Sequence, residues 1–236
     1  MKNKRIELFD DGIGAVEYVE HMGDDLSIVN AARVSFGAQK EELNEKDIKL
    51  INYLMQHRHT STFEHCVITM RFIVPLFIRS QHHRHRTWSY NEISRRYTSI
   101  DMKFYEPKNL RTQHKSNRQA SEDKYVNSVM GWQDSYGTGH TGYPSEVIKK
   151  HNETSLAVYD ALVRTGVCRE QARGVLPQNL YTEYYGTVNL NNLLKFIDLR
   201  IHEGAQWEIQ QVAKACLSIT TELFPEAVKA YNNARS

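Results

Sequence analysis

A short apolar run in the first third of the chain constrains the fold more than any other feature. Residues 67–74 read VITMRFIV, a β-branched and aromatic run typical of a strand buried in a sheet. Pro75 follows where a first helical position would be, and Leu76, Phe77 and Ile78 continue the apolar pattern. The sequence therefore predicts a buried strand that passes directly into a helix.

Helical and strand patterns alternate irregularly along the rest of the chain. Helical spacing predicts a helix capped by Asn44 that ends near residue 57, and others over residues 156–166, 192–202 and 205–224. A second strand is predicted over residues 179–189, and a short helix capped by Ser89 or Asn91. Because no regular βαβ alternation appears, a doubly wound sheet is excluded. We expect one α+β domain over residues 1–236, with a central, mostly antiparallel sheet flanked by helices.

Residues 108–150 interrupt these patterns with a polar stretch rich in lysine, serine and glycine. We interpret it as a long surface excursion with a short helix around residues 125–132. Within it, residues 137–142 (GTGHTG) match the dinucleotide-binding fingerprint, but no apolar strand precedes them and Tyr143-Pro144 follows where the helix should begin. A flexible loop is therefore the favoured interpretation of these glycines.

Composition excludes several classes of protein. The chain has 236 residues, 40% of them hydrophobic and 25% charged, which is typical of a globular protein. The apolar runs are too short to span a membrane and no signal peptide is evident, so a soluble, cytoplasmic protein is expected. Three cysteines without CxxC spacing predict neither disulfides nor a zinc ribbon. A net charge of only +2 favours a small anionic ligand over a nucleic acid.

Cationic side chains are concentrated in residues 79–96, which read RSQHHRHRTWSYNEISRR. This stretch holds five arginines, three histidines and one acid, and no lysine. A planar guanidinium offers a fixed fork of donors that grips phosphate or carboxylate in a bidentate manner and stacks on rings. We interpret the stretch as a binding segment for a planar, phosphorylated ligand.

Other chemistries for these residues are less favoured. The nearby histidines suggest a metal, but no HExxH motif or cysteine partner is present and the arginines would repel a divalent cation, so no metal is predicted. Cys66 follows His65 in a strand, where adjacent side chains point to opposite faces, so a buried structural thiol is favoured over a nucleophile.

One alternative function stays open at this point. Trp88, Tyr90 and Tyr97 are interleaved with the arginines and would suit stacking on the bases of a single strand. A single-stranded nucleic-acid-binding or RNA-modifying protein that uses residues 79–97 is therefore the alternative to a small-ligand enzyme.

Several motifs together resemble the flavin-dependent thymidylate synthases. The string RHRxxSxNExSxRY, from Arg84 to Tyr97, is similar to the signature of that family. Further similar segments are DDLSIVNAARVSF (24–36), HRHTSTFEH (57–65), ARGVLPQNLYT (172–182), DLR (198–200) and AQWEIQQ (205–211). The resemblance covers most of the chain outside residues 108–150.

This resemblance implies a reaction and an assembly. The family methylates dUMP to dTMP with 5,10-methylenetetrahydrofolate as carbon donor, and FAD relays hydride from NADPH. No protein nucleophile is required, so catalysis rests on orientation and electrostatics around a cofactor that carries the chemistry. The family forms homotetramers whose active sites are shared between subunits, and neither nucleic acid nor membrane is expected as a partner.

Site residues follow from the resemblance, position by position. The implied dUMP-binding set is Gln81, His82, His83, Arg84, Glu92, Ser94, Arg95, Arg96, Arg173 and Arg200. The implied FAD-binding set is His59, Ser61, Arg84, His85, Arg86, Glu92, Asn189, Asn191 and Lys195. Arg200 is the implied catalytic residue, because a guanidinium beside a uracil carbonyl would favour the N3 anion and activate the ring.

The chain departs from the family pattern at several of these positions. The His82-His83 pair stands where an aromatic or apolar pair is more usual. Asn191 replaces a frequent arginine, Lys195 replaces a frequent asparagine, and Gly204 occupies a position often held by histidine. The FAD contacts at these last three positions are therefore less strongly implied than the nucleotide contacts.

Overall fold

The computed structural model describes residues 4–98 and 101–235. The strands are β1 (Arg5–Glu7), β2 (Ala15–Met22), β3 (Val67–Pro75), β4 (Ser89–Glu92), β5 (Arg111–Gln113), β6 (Ser121–Tyr125), β7 (Met130–Gln133), β8 (Gly139–Gly142) and β9 (Tyr181–Asn189). The helices are α1 (Asp25–Arg33), α2 (Glu45–Gln56), α3 (Leu76–His82), α4 (Pro144–Arg164), α5 (Arg169–Ala172), α6 (Leu190–Ile201), α7 (Trp207–Leu223) and α8 (Pro225–Asn233). Short 3₁₀ turns cover Val34–Phe36, Thr60–His65 and Arg173–Val175.

The predicted central strand is confirmed as β3. It is the middle strand of a five-stranded sheet of order β1-β2-β3-β9-β4, in which every pair is antiparallel. Its alternate residues Ile68, Met70, Phe72 and Val74 are fully buried on one face, because side chains of a strand alternate between faces. The expected α+β domain with an antiparallel sheet and helices is confirmed.

The opposite face of the sheet carries a polar ladder. Arg71 on β3 donates to Glu17 on β2 at 2.8 Å and to Glu183 on β9 at 2.7 Å, so one guanidinium joins three strands. The hydroxyls of Thr69 and Thr187 meet at 3.0 Å on the same face. Cross-strand pairs of this kind fix the register of β3 against its neighbours.

Helices cover the apolar face and bury the free thiols. The core side of α7 places Ile209, Val212, Cys216 and Ile219 out of solvent. Cys66, just before β3, is also fully buried, and burial raises the pKa of its thiol to about 12. The prediction that Cys66 is a structural thiol is therefore confirmed.

The helix predicted behind Asn44 is confirmed as α2, and its first turn holds a buried charge network. The Asn44 side chain caps the helix, and the Asp47 carboxylate accepts from the backbone amide of Asn44 in return. Asp47 is fully buried and pairs with Arg33 and Lys40, each at 2.7 Å. Removing one member of a buried ion pair leaves the other charges without compensation.

We expect Asp47→Ala to lower the free energy of unfolding by about 3 kcal/mol, because it leaves two cations and one helix amide without their hydrogen-bond acceptor. Chemical denaturation measures this change. The control is Glu222→Ala, which removes an exposed ion pair with Lys4 and should cost less than about 1 kcal/mol. Equal losses in the two variants would show that the buried network contributes no special stability.

Two predicted helices are wrong. Residues 89–92 form β4, which pairs with β9 from Ser89 opposite Thr187 to Glu92 opposite Tyr184. Residues 125–132 run instead from the last residue of β6 in the hairpin β5-β6 to β7 in the hairpin β7-β8. The glycine-rich segment 137–142, predicted as a flexible loop, forms part of the turn and the second strand of the hairpin β7-β8. The polar excursion also ends earlier than predicted, since Pro144 begins α4.

The remaining predicted elements are confirmed, with small changes of boundary except at α4, which begins at Pro144 and not at residue 156. The strand predicted over residues 179–189 is β9, and α4 ends before Gly166, whose φ of +95° favours glycine. Pro225 ends α7 as predicted and also opens α8. Within the described residues, the structure contains no helix with the length and apolar content needed to cross a bilayer.

Candidate active site

A polar cleft of about 520 Å³ opens where α3, the end of β4, the start of β9 and the turn at residues 173–175 meet. Its size suits a small-molecule ligand, for which cavities of roughly 300–1,000 Å³ are usual. Four of the predicted dUMP-binding residues line it, namely Glu92, Ser94, Arg95 and Arg173. Arg79 and Glu170 also line it, and neither was predicted as a site residue.

The charges of this nucleotide cleft, the cavity lined by Glu92, Ser94, Arg95 and Arg173, favour an anion. Three arginines, at positions 79, 95 and 173, face the carboxylates of Glu92 and Glu170, which leaves an excess of one positive charge. The Glu92 carboxylate is fixed, because it accepts from the Thr182 hydroxyl at 2.6 Å and lies 3.2 Å from the Arg79 guanidinium.

Short-range contacts hold the arginines at the rim of the cleft. Arg173 donates to the backbone carbonyl of Glu170 at 3.3 Å, and Arg95 donates to the carbonyl of Tyr181 at 3.3 Å. Arg96 lies 3.5 Å from the Glu170 carboxylate, and its amide donates to the Ser94 hydroxyl at 3.2 Å. These contacts keep the guanidinium groups close to the opening, where they can meet a phosphate.

A second cluster forms around Arg200, near the end of α6. The Nε of Arg200 donates to Nε2 of His85 at 3.0 Å, and a terminal nitrogen lies 3.5 Å from the backbone carbonyl of Gln81. The Gln81 side chain donates to Gln206, which in turn donates to Glu208 at 2.9 Å. Gln81 and Arg200 are thus held together in a polar group that does not line the nucleotide cleft.

The contact with Arg200 defines the protonation state and the tautomer of the His85 imidazole. Burial, together with the neighbouring Arg200 charge, lowers the pKa of His85 to about 4. The imidazole is therefore neutral near neutral pH. Because Arg200 donates to Nε2, the proton of the neutral ring must lie on Nδ1.

We expect the His85 imidazole to titrate near its lowered pKa of about 4 in the free protein. Since this pKa lies below the unfolded value of 6.5, His85 contributes stability above pH 6.5 that is lost as the pH falls through about 4. Imidazole NMR across the pH range measures the midpoint. Arg200→Ala should raise this midpoint only in part, because burial is the larger cause. A midpoint at 6.5 in the unmodified protein would contradict the Arg200 contact.

A third region gathers part of the predicted FAD-binding set. Asn191 and Lys195 on α6 line a cleft of about 330 Å³ whose walls include Leu54, Phe63 and Leu194. The Asn191 amide donates to Glu64 at 2.9 Å, so one of its polar groups is engaged within the protein.

The other predicted flavin residues in this part of the chain do not line that cleft, but they are close in sequence to Thr60, Phe63 and Asn191, which do. Asn189 caps α6 by accepting from the amide of Asn192 at 2.9 Å. His59 and Ser61 are exposed beside the 3₁₀ turn at residues 60–65, and His59 stacks on Tyr53 with ring centroids 5.9 Å apart.

The histidine pair before Arg84 lies away from the clefts. His82 has no exposed surface, and its Nδ1 lies 2.7 Å from the Tyr184 hydroxyl, so its side chain cannot reach a ligand in this protomer. His83 is half-buried and stacks on Tyr90 at 4.0 Å. Arg84 and Arg86, by contrast, are exposed, and no ion pair holds either of them within residues 4–98 and 101–235.

The protomer therefore divides the predicted site residues among separate regions. The nucleotide cleft holds Glu92, Ser94, Arg95 and Arg173, the second cluster holds Gln81, His85 and Arg200, and the third holds Asn191 and Lys195. Sequence reasoning missed Arg79, Glu170 and Gln206. Arg79 lies in the arginine-rich stretch and Gln206 lies in the AQWEIQQ segment, so each had a signal in the sequence, whereas Glu170 had none.

Comparison with known proteins identifies the family to which the chain is similar. Residues 17–226 match the family described as thymidylate synthase complementing protein. The flavin-dependent thymidylate synthase of Thermus thermophilus is 43% identical over 218 residues, which are 92% of this chain and 75% of the relative. The enzyme of the same name from Thermotoga neapolitana is 40% identical over 218 residues, 92% of this chain and 90% of that protein.

A solved structure is also similar over nearly the whole chain. It is PolB of Streptomyces cacaoi, described as a UMP/dUMP methylase bound with 5-Br dUMP. The two chains share 30% identity and a TM-score of 0.77, and the match covers 97% of each. The extent of the family match and the identity to these relatives show that the chain belongs to the flavin-dependent thymidylate synthases.

Proposed function

We propose that the protein methylates dUMP to dTMP with 5,10-methylenetetrahydrofolate as carbon donor, while FAD relays hydride from NADPH. The nucleotide cleft is the observation that carries this proposal. It sets three arginines against a fixed Glu92 carboxylate, which gives it donors for a phosphate and an acceptor for a sugar or base edge. The relatives' names and the dUMP analogue bound to PolB support the same substrate class.

The third region and the exposed arginines beside the second cluster fit a flavin. Exposed Arg84 and Arg86 offer guanidinium groups for a diphosphate, and the apolar walls beside Lys195 suit a planar ring. FAD, when bound, supplies the hydride chemistry that no protein side chain can perform. The chain's own residues bind and orient the cofactor through His59, Ser61, Asn189 and Asn191.

Arg200 is the residue that we propose to act on the pyrimidine. Its Nε donates to His85 and one terminal nitrogen lies 3.5 Å from the Gln81 carbonyl, which leaves the other terminal nitrogen to face a ligand. A fixed positive charge beside a uracil carbonyl favours the N3 anion and so raises the electron density at the carbon that is methylated. The neutral state of His85 lets it hold Arg200 without adding a second charge to the site.

The cysteines support a mechanism without a protein nucleophile. Cys66 and Cys216 are fully buried, and burial raises the pKa of both thiols. Cys168 is exposed but does not line the nucleotide cleft. Cys66 and Cys216 therefore lack both the low pKa and the access that a thiolate nucleophile requires, and Cys168 lacks the position.

We further propose that the active site is completed by a second copy of the chain in a homotetramer. Within one protomer, Arg173 lines the nucleotide cleft whereas Arg200 and Gln81 lie in a different cluster. A single dUMP molecule needs a phosphate site and a ring site together. Joining the cleft of one subunit to the Arg200 cluster of another would supply both.

A reconstituted assay tests the proposal. Purified protein with dUMP, methylenetetrahydrofolate, FAD and NADPH should form dTMP, and omission of any one component should abolish the product. UMP offered in place of dUMP tests the sugar preference, since PolB is described as acting on both nucleotides. A colourless protein that binds no FAD and forms no dTMP, but retains single-stranded RNA, would overturn the proposal in favour of a nucleic-acid-binding protein.

A further inference from the structure

The turn that carries Arg84 and Arg86 is held in place by the hydroxyl group of Tyr90. Residues 83–88 connect α3 to β4 and expose both arginines. The Tyr90 hydroxyl lies 2.9 Å from the backbone carbonyl of His82 and 3.0 Å from that of His85. Its single proton is therefore shared between the two carbonyls, and the hydroxyl bridges them.

Tyr90 itself is held firmly by the sheet and by neighbouring rings. It lies on β4 directly opposite Gly186 of β9, and its ring stacks on His83 with centroids 4.0 Å apart. Trp88 packs over Gly186, where an added Cβ would come within 3.1 Å of the indole. Because burial also raises the pKa of Tyr90, its hydroxyl stays protonated and continues to donate.

The His82 side chain, which packs against the turn, is also fixed in place. The imidazole of His82 is completely buried among Phe72, Trp88 and Phe196, with ring centroids 4.5 to 4.7 Å away. Its Nδ1 lies 2.7 Å from the hydroxyl of Tyr184 on β9. The amide of His85 donates to the His82 carbonyl at 2.9 Å, so Tyr90 and His85 share one acceptor.

The contacts of Tyr90 extend through His85 to Arg200, the proposed catalytic arginine. Tyr90 fixes the backbone of His85, and the His85 ring accepts from Arg200 at 3.0 Å. We propose that Tyr90 is a positioning residue: its hydroxyl fixes the 83–88 turn so that the Arg84 and Arg86 side chains meet the flavin and His85 orients Arg200. The inference rests on the proposed function. Position 90 is one of the unspecified positions of the RHRxxSxNExSxRY string, so the signature does not assign this role.

The test is Tyr90→Phe, which keeps the ring and removes the hydroxyl. The matched control is Tyr18→Phe, which removes a hydroxyl that meets His21 at 2.8 Å elsewhere on the sheet. For Tyr90→Phe we expect amide exchange in residues 83–88 to accelerate about tenfold and the FAD dissociation constant to rise about tenfold, since one shared hydrogen bond is lost. The kcat should fall while KM for dUMP changes little, and the control should match the unmodified protein.

The outcomes separate the inference from the proposed function. Exchange of residues 83–88 needs neither cofactor nor substrate, so unchanged exchange and unchanged FAD affinity in Tyr90→Phe would overturn the positioning role. Equal changes in Tyr18→Phe would also overturn it, because the effect would then be general loosening of the sheet. Absence of dTMP formation by the unmodified protein would instead contradict the proposed function, whatever the exchange data show.

Discussion

Arg200→Ala should retain FAD yet lose methyl transfer, with kcat reduced by roughly 10²–10³-fold as for other single electrostatic donors. The structure gives the reason. Arg200 is half-buried and donates through Nε to a neutral His85, so its charge is aimed and partly desolvated before substrate arrives. In the proposed mechanism, such a preorganised charge acts mainly on the developing anion of the pyrimidine. Steady-state dTMP formation and the flavin absorption spectrum measure the two properties separately.

Two further variants sharpen this expectation. Arg200→Lys keeps the charge but loses the planar fork, so it should recover only part of kcat. Arg164→Ala removes an exposed arginine from the last turn of α4 and should leave both kcat and FAD binding unchanged. Full activity of Arg200→Ala would remove Arg200 from the mechanism.

Arg173→Ala should weaken dUMP binding by about a hundredfold, since a hydrogen bond between charged partners contributes roughly 1.5–3 kcal/mol. Arg173 lines the nucleotide cleft and is held at its rim by the Glu170 carbonyl. Loss of its guanidinium removes one of the three arginines that line the cleft. Titration calorimetry with dUMP measures the affinity, and FAD binding should be unaffected.

The neighbouring Arg169→Ala serves as the control. Arg169 lies on the short helix α5, just before Arg173, but does not line the nucleotide cleft. Arg169→Ala changes the net charge by the same amount as Arg173→Ala. It should change dUMP affinity by less than about twofold, because salt screens the attraction between a distant charge and the ligand. Equal losses in both variants would indicate nonspecific attraction and would contradict a phosphate site at Arg173.

The parts of the fold that sequence predicts best are those fixed by local pattern. The run at residues 67–74 and the aromatic run at residues 181–189 both form strands, because each contains enough β-branched or aromatic residues to decide the outcome locally. Asn44 caps α2 as predicted, since its side chain satisfies free amides of the first turn.

Long-range pairing explains the elements that were wrong. Ser89 and Asn91 are good helix caps, but residues 89–92 pair with β9, almost a hundred positions later in the sequence. The two hairpins of the polar excursion have few apolar residues in register, so their strands leave little periodic signal. Tertiary pairing outweighs local propensity in both cases.

The candidate site likewise contains residues that the sequence predicts and residues whose position depends on long-range contacts. The arginine-rich stretch and its similarity to a family signature point to Glu92, Ser94, Arg95 and Arg173, and the structure brings these four into one cleft. Sequence alone did not separate Gln81 and Arg200 from that cleft, because it does not show which way each side chain leaves its helix. Tyr90 was interpreted only as a stacking aromatic, since its hydroxyl contacts depend on the turn geometry.

Subunit complementation tests the central claim most directly, that the Arg173 cleft of one copy and the Arg200 cluster of another form one active site. The variants Arg173→Ala and Arg200→Ala are co-expressed with different affinity tags, and the mixed oligomer is purified through both tags in turn. It is then assayed at a low dUMP concentration, at which neither variant alone forms dTMP. If subunits share sites across a symmetric interface, about a quarter of the sites at equal mixing should hold both arginines and dTMP formation should return. If both arginines of a site come from one chain, no site can be complete, and the mixed oligomer would stay inactive.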